Sequence, residues 1–198
     1  MSPLRNRVLA TGEIIAHPAR GRFMGNRGIL HDGERRIGRA LWKHKAWIIC
    51  RLRWKDWHRA VMTPGRYTEL FFLDEAVALA AGHRPCALCR REAFEAYRAA
   101  AGFQGPAAEM DARLHGERAV PRIFGQRRHE ALAEHLPDGA ILFDGEAKLV
   151  RGDAIYPVSP QGYGAAERRI VGSVVVLTPP SSVEALRSGY APEIALPG

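Results

Sequence analysis

Three cysteines among 198 residues are too few for a disulfide framework, and their odd number leaves a thiol over in any bridging scheme. The expectation is a reducing environment in which the thiols serve a metal or redox chemistry. The chain also has no run of about eighteen apolar residues that would cross a bilayer. Its opening, MSPLRNRVLATGEIIAHPARG, lacks the basic, apolar and small-residue succession of a secretory signal. A soluble cytoplasmic protein with no membrane partner is therefore expected. Two groups of enzymes lose their usual signatures as well. MGNRG at 24–28 has neither the spacing of a dinucleotide loop nor a following GK[ST]. The string DARLHGERAVPRIFGQRRHEALAEH at 111–135 holds Asp111, His115, Glu117, His129, Glu130 and His135 but no HExxH, so a hydrolase centre is not expected there.

Acidic residues are scarce in one stretch only. Between residues 20 and 66 the chain carries thirteen Arg or Lys against three Asp or Glu, which exceeds the net charge of +8 and leaves the remainder slightly acidic. Basicity confined to one segment is how an electrostatic footprint for a polyanion appears in a sequence. All four tryptophans, Trp42, Trp47, Trp54 and Trp57, fall in this segment among lysines and arginines. Cations can meet phosphates while an exposed indole stacks on an unpaired base. Arg22, Arg27, Lys43, Lys45, Arg51, Arg53, Trp54 and Lys55 are the candidates for contact with DNA or RNA. The competing reading places the tryptophans in the core and the arginines on the solvated face.

The richest stretch is 67–98, YTELFFLDEAVALAAGHRPCALCRREAFEAYR. The apolar run around Leu70 to Leu73 suits a strand. Asp74 can cap a helix over 75–81, and Gly82 can end it in the left-handed conformation. Cys86 and Cys89 then face one ion across a tight turn, with the amides of a helix at 90–101 favouring thiolate. Two thiols are half of a tetrahedral Zn2+ site. Cys50 is the third candidate ligand and His58 the fourth, with His83 equally near in sequence and His31, His44 and His129 more remote. A redox pair and inert buried thiols are the alternatives.

Within this stretch, FFLDEAVALAAGHRPCALCR at 71–90 resembles the second half of the zinc-binding module of bacterial Ada-type alkylation-repair proteins. There a strand, an alanine-rich helix stopped by Gly and an Arg-Pro-Cys-x-x-Cys-Arg run supply the last two zinc ligands. The resemblance implies that Cys86 and Cys89 are paired ligands, with Arg84 and Arg90 as basic residues beside them that join the nucleic-acid contacts. It covers about twenty residues. That family's first cysteine pair has no counterpart, because KDWHRAVMTPG stands at 55–65.

Elsewhere, residues 12–16 suit an edge strand and 47–54 a half-buried strand. Helices are expected over 107–119 and 122–136, a hairpin about Asp144-Gly145, and a strong strand over 170–177. SSVEALRSGYAP at 181–192 repeats the cap, helix and glycine-stop grammar of DEAVALAAGHRP at 74–85. The expected class is α+β, with small antiparallel sheet elements around a central helical segment and an Ada-like CxxC zinc knuckle. Its regions are 1–103, 104–136 and 137–198, joined in one compact unit. The functional expectation is a zinc-stabilised nucleic-acid-binding protein. The alternatives are a zinc-dependent or thiol-based DNA-repair enzyme, with Cys50 as nucleophile and Glu92 or His83 handling protons, and a protein-interaction module.

Overall fold

A computed structural model describes residues 2–56 and 59–196, so Trp57 and the expected ligand His58 lie outside the described residues. The first half contributes β1 (Arg5–Val8), β2 (Ile14–Ala16), β3 (Phe23–Asn26), β4 (Ile48–Cys50), β5 (Leu70–Phe72), α1 (Glu75–Ala80) and β6 (Arg84–Pro85). These strands form one sheet in the order β2-β1-β5-β3-β4-β6. It is mixed: β1 runs parallel to β5 and β4 parallel to β6, while the other pairs are antiparallel.

Two helices follow, α2 (Arg91–Ala100) and α3 (Ala107–Arg118), and then a short hairpin of β7 (Ala119–Val120) and β8 (Gly125–Gln126). The last part contains β9 (His129–Leu132), a 3-10 turn at Ala133–His135, β10 (Ile141–Asp144), β11 (Glu146–Arg151), β12 (Ala154–Ser159), β13 (Gly162–Tyr163), β14 (Glu167–Arg168), β15 (Ser173–Val176) and α4 (Pro180–Arg187). Its sheet runs β13-β12-β11-β10-β15-β9, with β14 also on β12, and every pair is antiparallel. The class is therefore α+β, and the expected antiparallel C-terminal sheet is present.

The helix at the centre is α1, not the 104–136 segment. Asp74 caps it by accepting the Val77 N–H at 3.0 Å. All six of its residues are buried. Ala78 and Leu79 enter a cluster with Ile49, Leu70 and Phe72 of the first sheet. Ala76, Val77 and Ala80 enter a second cluster with Ile141, Leu149 and Leu177 beside the other sheet. Alanines on both sides let two sheets approach one narrow helix. Six residues make no stable helix in water; burial of Val77 and Leu79, at about 1.5–3 kcal/mol each, supplies what propensity cannot.

The start of α1 is closed by residues far along the chain. The Ala195 N–H and the Tyr163 hydroxyl both donate to Asp74 Oδ2, at 2.8 and 2.6 Å. The Glu193 N–H donates to Glu75 Oε2 at 3.0 Å, and the Tyr190 hydroxyl donates to Glu75 Oε1 at 2.5 Å.

Two expected elements are corrected. Residues 122–136 are no helix, because Arg122 and Phe124 take left-handed φ values of 69° and 55° and turn the chain back onto β7. Beyond that turn, β9 pairs with β15, so the second sheet begins inside the 104–136 segment. The strand expected over 47–54 stops at Cys50, where the chain leaves the sheet.

A candidate metal centre and its pocket

The three cysteines meet because of strand pairing rather than sequence proximity. Parallel pairing of β4 with β6 sets Ile48 against Arg84 and Ile49 against Pro85, so the next residue on each strand is a cysteine. The Cys86 N–H donates to the Ile49 carbonyl at 2.9 Å and fixes this register. A tight turn then brings Cys89 back: the Arg90 N–H donates to the Cys86 carbonyl at 3.1 Å, and the Leu88 N–H points at Cys86 Sγ at 3.4 Å. All three Sγ atoms lie within 4.8 Å of one another.

Tetrahedral Zn2+ with thiolate bonds of about 2.3 Å sets its sulfurs about 3.8 Å apart, so a small contraction of this cluster seats the ion. The thiols also suit a cation electrostatically. Hydrogen bonds from Cys50 and Cys89 pull the Cys86 thiol well below its ordinary range. The same hydrogen bond to Cys86, followed by that to Cys89 and by burial, pushes Cys50 far up. Three crowded sulfurs cannot all ionise by themselves, and a divalent ion removes that conflict by ligating thiolates.

The surroundings hold the cluster rigidly. Arg90, next to Cys89, forms a buried double ion pair with Glu75 at 2.7 and 2.8 Å, which ties the start of α2 to α1. Arg51 Nε donates to the Cys89 carbonyl at 3.2 Å.

On its open side the cluster borders a cavity of about 300 Å³, lined by Cys50, Cys86 and Cys89 together with Asn26, Glu69, Tyr67, Trp54 and apolar side chains of β3, β4 and the 52–71 segment. Glu69 anchors that segment. Its Oε2 accepts the Met62 N–H at 2.7 Å, and its Oε1 accepts from Arg59 Nε at 2.9 Å and from Nη2. Arg59 in turn lies 4.2 Å over the Tyr67 ring.

Of the expected metal ligands, the structure brings Cys50, Cys86 and Cys89 together. His83, His31, His44 and His129 take no part in the cluster. His83 is buried against Arg27, whose Nε donates to its Nε2 at 3.2 Å, and His31 pairs with Thr68 at 2.7 Å.

Three expected nucleic-acid contacts are corrected, because Arg27, Arg84 and Arg90 are buried at 2, 5 and 4 % exposure. Each guanidinium is already engaged inside the protein. Arg84 forks onto Asp111 at 2.9 and 2.8 Å, and Arg90 is held by Glu75. Arg27 lies 4.2 Å from the Trp47 ring centroid, as does Arg118, so that indole has two buried cations against it. Arg22, Lys43, Lys45, Arg51, Arg53 and Lys55 are exposed, and Trp54 is half-buried on the cavity wall with Lys55 Nζ 4.7 Å from its ring.

The sequence reading missed Asn26, Tyr67 and Glu69. The one signal for Glu69 was a charged residue at the head of an apolar strand; nothing marked Asn26 except its place among glycines. No helix among the described residues is long and apolar enough to cross a membrane. Comparison with protein-family models, with curated proteins and with solved structures gave no match.

Proposed function

We propose that this chain is a zinc protein in which Cys50, Cys86 and Cys89 hold one Zn2+ and the fourth coordination position serves a ligand in the adjoining pocket. The observation that carries the reading is that the three sulfurs share a wall with a cavity of about 300 Å³. Structural zinc sites close with four protein ligands, whereas sites that act on a ligand keep three and leave one position open. Bound there, Zn2+ supplies Lewis acidity toward a carbonyl or imine-type group. The protein's own residues do the rest: apolar walls exclude water, Arg51 lends positive charge near the thiolates, and Glu69 offers a carboxylate.

Metal content and cobalt spectroscopy test this directly. The protein as purified should hold one zinc per chain, and Cys50→Ser, Cys86→Ser and Cys89→Ser should each lose it. His58→Ala should keep it. In the Co2+ form, thiolate-to-metal bands should appear, and added thiocyanate or imidazole should shift the ligand-field bands. A spectrum indifferent to both, together with zinc loss in His58→Ala, would indicate a closed structural site and refute the open-position reading.

A second reading, zinc-stabilised binding of single-stranded nucleic acid, is favoured by the exposed cations Arg51, Arg53 and Lys55 that follow Cys50 directly, with Trp54 among them. The zinc then holds the surface in shape, and the arginines contact phosphates.

A further inference from the structure

The pocket beside the cysteines is apolar apart from a few polar groups, and two of these are complementary in kind. Asn26 stands at the end of β3 with 7 % of its surface exposed. Its Oδ1 accepts the Gly28 N–H at 3.3 Å, which orients the side-chain amide. Among the described residues, Nδ2 finds no protein acceptor, nor is it a sealed, unpartnered atom, so it stands as an open donor in the cavity wall. Glu69 is its counterpart. The carboxylate is held by Arg59 and the Met62 amide, and its oxygens serve as acceptors at the cavity wall.

Donor and acceptor are set in walls that include the aromatic rings of Trp54, Tyr67 and Phe71. A cavity of about 300 Å³ is at the small end of ligand pockets, large enough for one ring system and too small for a folded partner. A ligand that satisfies these walls is flat, stacks on aromatic faces, and carries a hydrogen-bond acceptor beside a donor on one edge. A saturated apolar ligand leaves the open Nδ2 donor of Asn26 unpaired at a cost of about 1–3 kcal/mol, whereas Glu69 is already held by Arg59 and Met62.

We infer that the pocket binds a planar nitrogen heterocycle of the nucleobase type, its lactam or amidine edge meeting Asn26 and Glu69 and its face lying against the aromatic wall. This rests on the reading of the pocket as the ligand side of the metal centre. Zinc content reports on that reading; ring binding reports on this one.

The test is calorimetric titration of the full zinc-loaded chain with uracil, cytosine, adenine and guanine, and with toluene as a flat ring lacking the polar edge. At least one base should bind measurably better than toluene. Asn26→Asp keeps the acceptor for Gly28 and replaces the open donor by an acceptor, so it should weaken that base about tenfold or more while zinc stays at one per chain. Glu69→Gln should weaken it comparably. Homopolymeric single-stranded oligonucleotides distinguish the sources of such a ring: tighter binding of the strand than of the free base places it in nucleic acid, and the reverse places it in a free base or nucleoside. Should no base and no oligonucleotide bind the zinc-loaded protein, or should Asn26→Asp bind them unchanged, the inference is overturned. A chain without zinc that still binds a base through Asn26 sustains the ring site and removes the metal reading alone.

Discussion

His83 is buried between cationic neighbours, and this makes it the residue through which acid reaches the core. Burial first, and then the charges of Arg27 and Arg118, hold its imidazole well below the usual value. In the unfolded chain the ring protonates near pH 6.5. The folded state therefore binds fewer protons below that pH. The contribution of the neutral ring is complete above pH 6.5 and is lost as pH falls toward the folded value. Urea unfolding between pH 6.5 and 5 should show stability falling by up to about 1.4 kcal/mol per pH unit from this residue. His83→Gln, whose amide oxygen can still accept from Arg27, should flatten that slope; His44, His115 and His129 are lowered too and contribute equally to both proteins. Identical slopes would rule His83 out as the source. At this scale the sequence was legible in part. Cys86 and Cys89 announced themselves by spacing. Arg27 was misread because a basic run does not reveal that Trp47 and its neighbours will bury one of its members, and Arg84 and Arg90 because the Ada resemblance does not reveal that Asp111 and Glu75 will bury them. Asn26 was missed because its role depends on a neighbouring strand and not on its own.

Among the elements, α1 was the most legible, because its signals are local. An Asp cap, an alanine-rich turn and a glycine stop appear in 74–82, and the folded helix ends as such glycines end helices: Gly82 N–H donates to Leu79 O and His83 N–H to Ala78 O, both at 2.9 Å. The grammar recurs at α4, where Gly189 N–H donates to Leu186 O and Tyr190 N–H to Ala185 O. The two stops differ in their surroundings, and that difference is measurable. At Gly82, φ is +83° and an added Cβ would stand 2.4 Å from Arg118 Cδ; at Gly189, φ is +96° in open space. Gly189→Ala should therefore cost about 1 kcal/mol for backbone alone. Gly82→Ala should cost about 1–3 kcal/mol more, because the buried Arg118 side chain must move. Equal shifts in urea midpoint for the two variants would contradict this. What remained hidden was the pairing of β4 with β6. Parallel register between short strands leaves no local mark, yet it alone brings Cys50 beside Cys86.

For the whole molecule, charge is sorted by depth more than by position along the chain. The basic segment sends Arg27 inward and keeps Arg51, Arg53 and Lys55 at the surface beside the pocket. If those exposed cations meet phosphates, binding of a single-stranded oligonucleotide should weaken steadily as salt rises. Arg53→Ala should then reduce the slope of log affinity against log salt by about 0.7, one phosphate contact on a single strand. An unchanged slope would remove Arg53 from any such interface.

The distant closure of α1 also has a meaning in time. A ribosome delivers Cys50, Cys86 and Cys89 well before Tyr190, Glu193 and Ala195, whose bonds complete Asp74 and Glu75. Until those residues emerge, the carboxylate that grips Arg90 beside Cys89 lacks its own supports. A nascent chain that has already delivered its three thiols thus still waits for the bonds that complete Asp74 and Glu75, and the frame of the site closes later than its ligands are made.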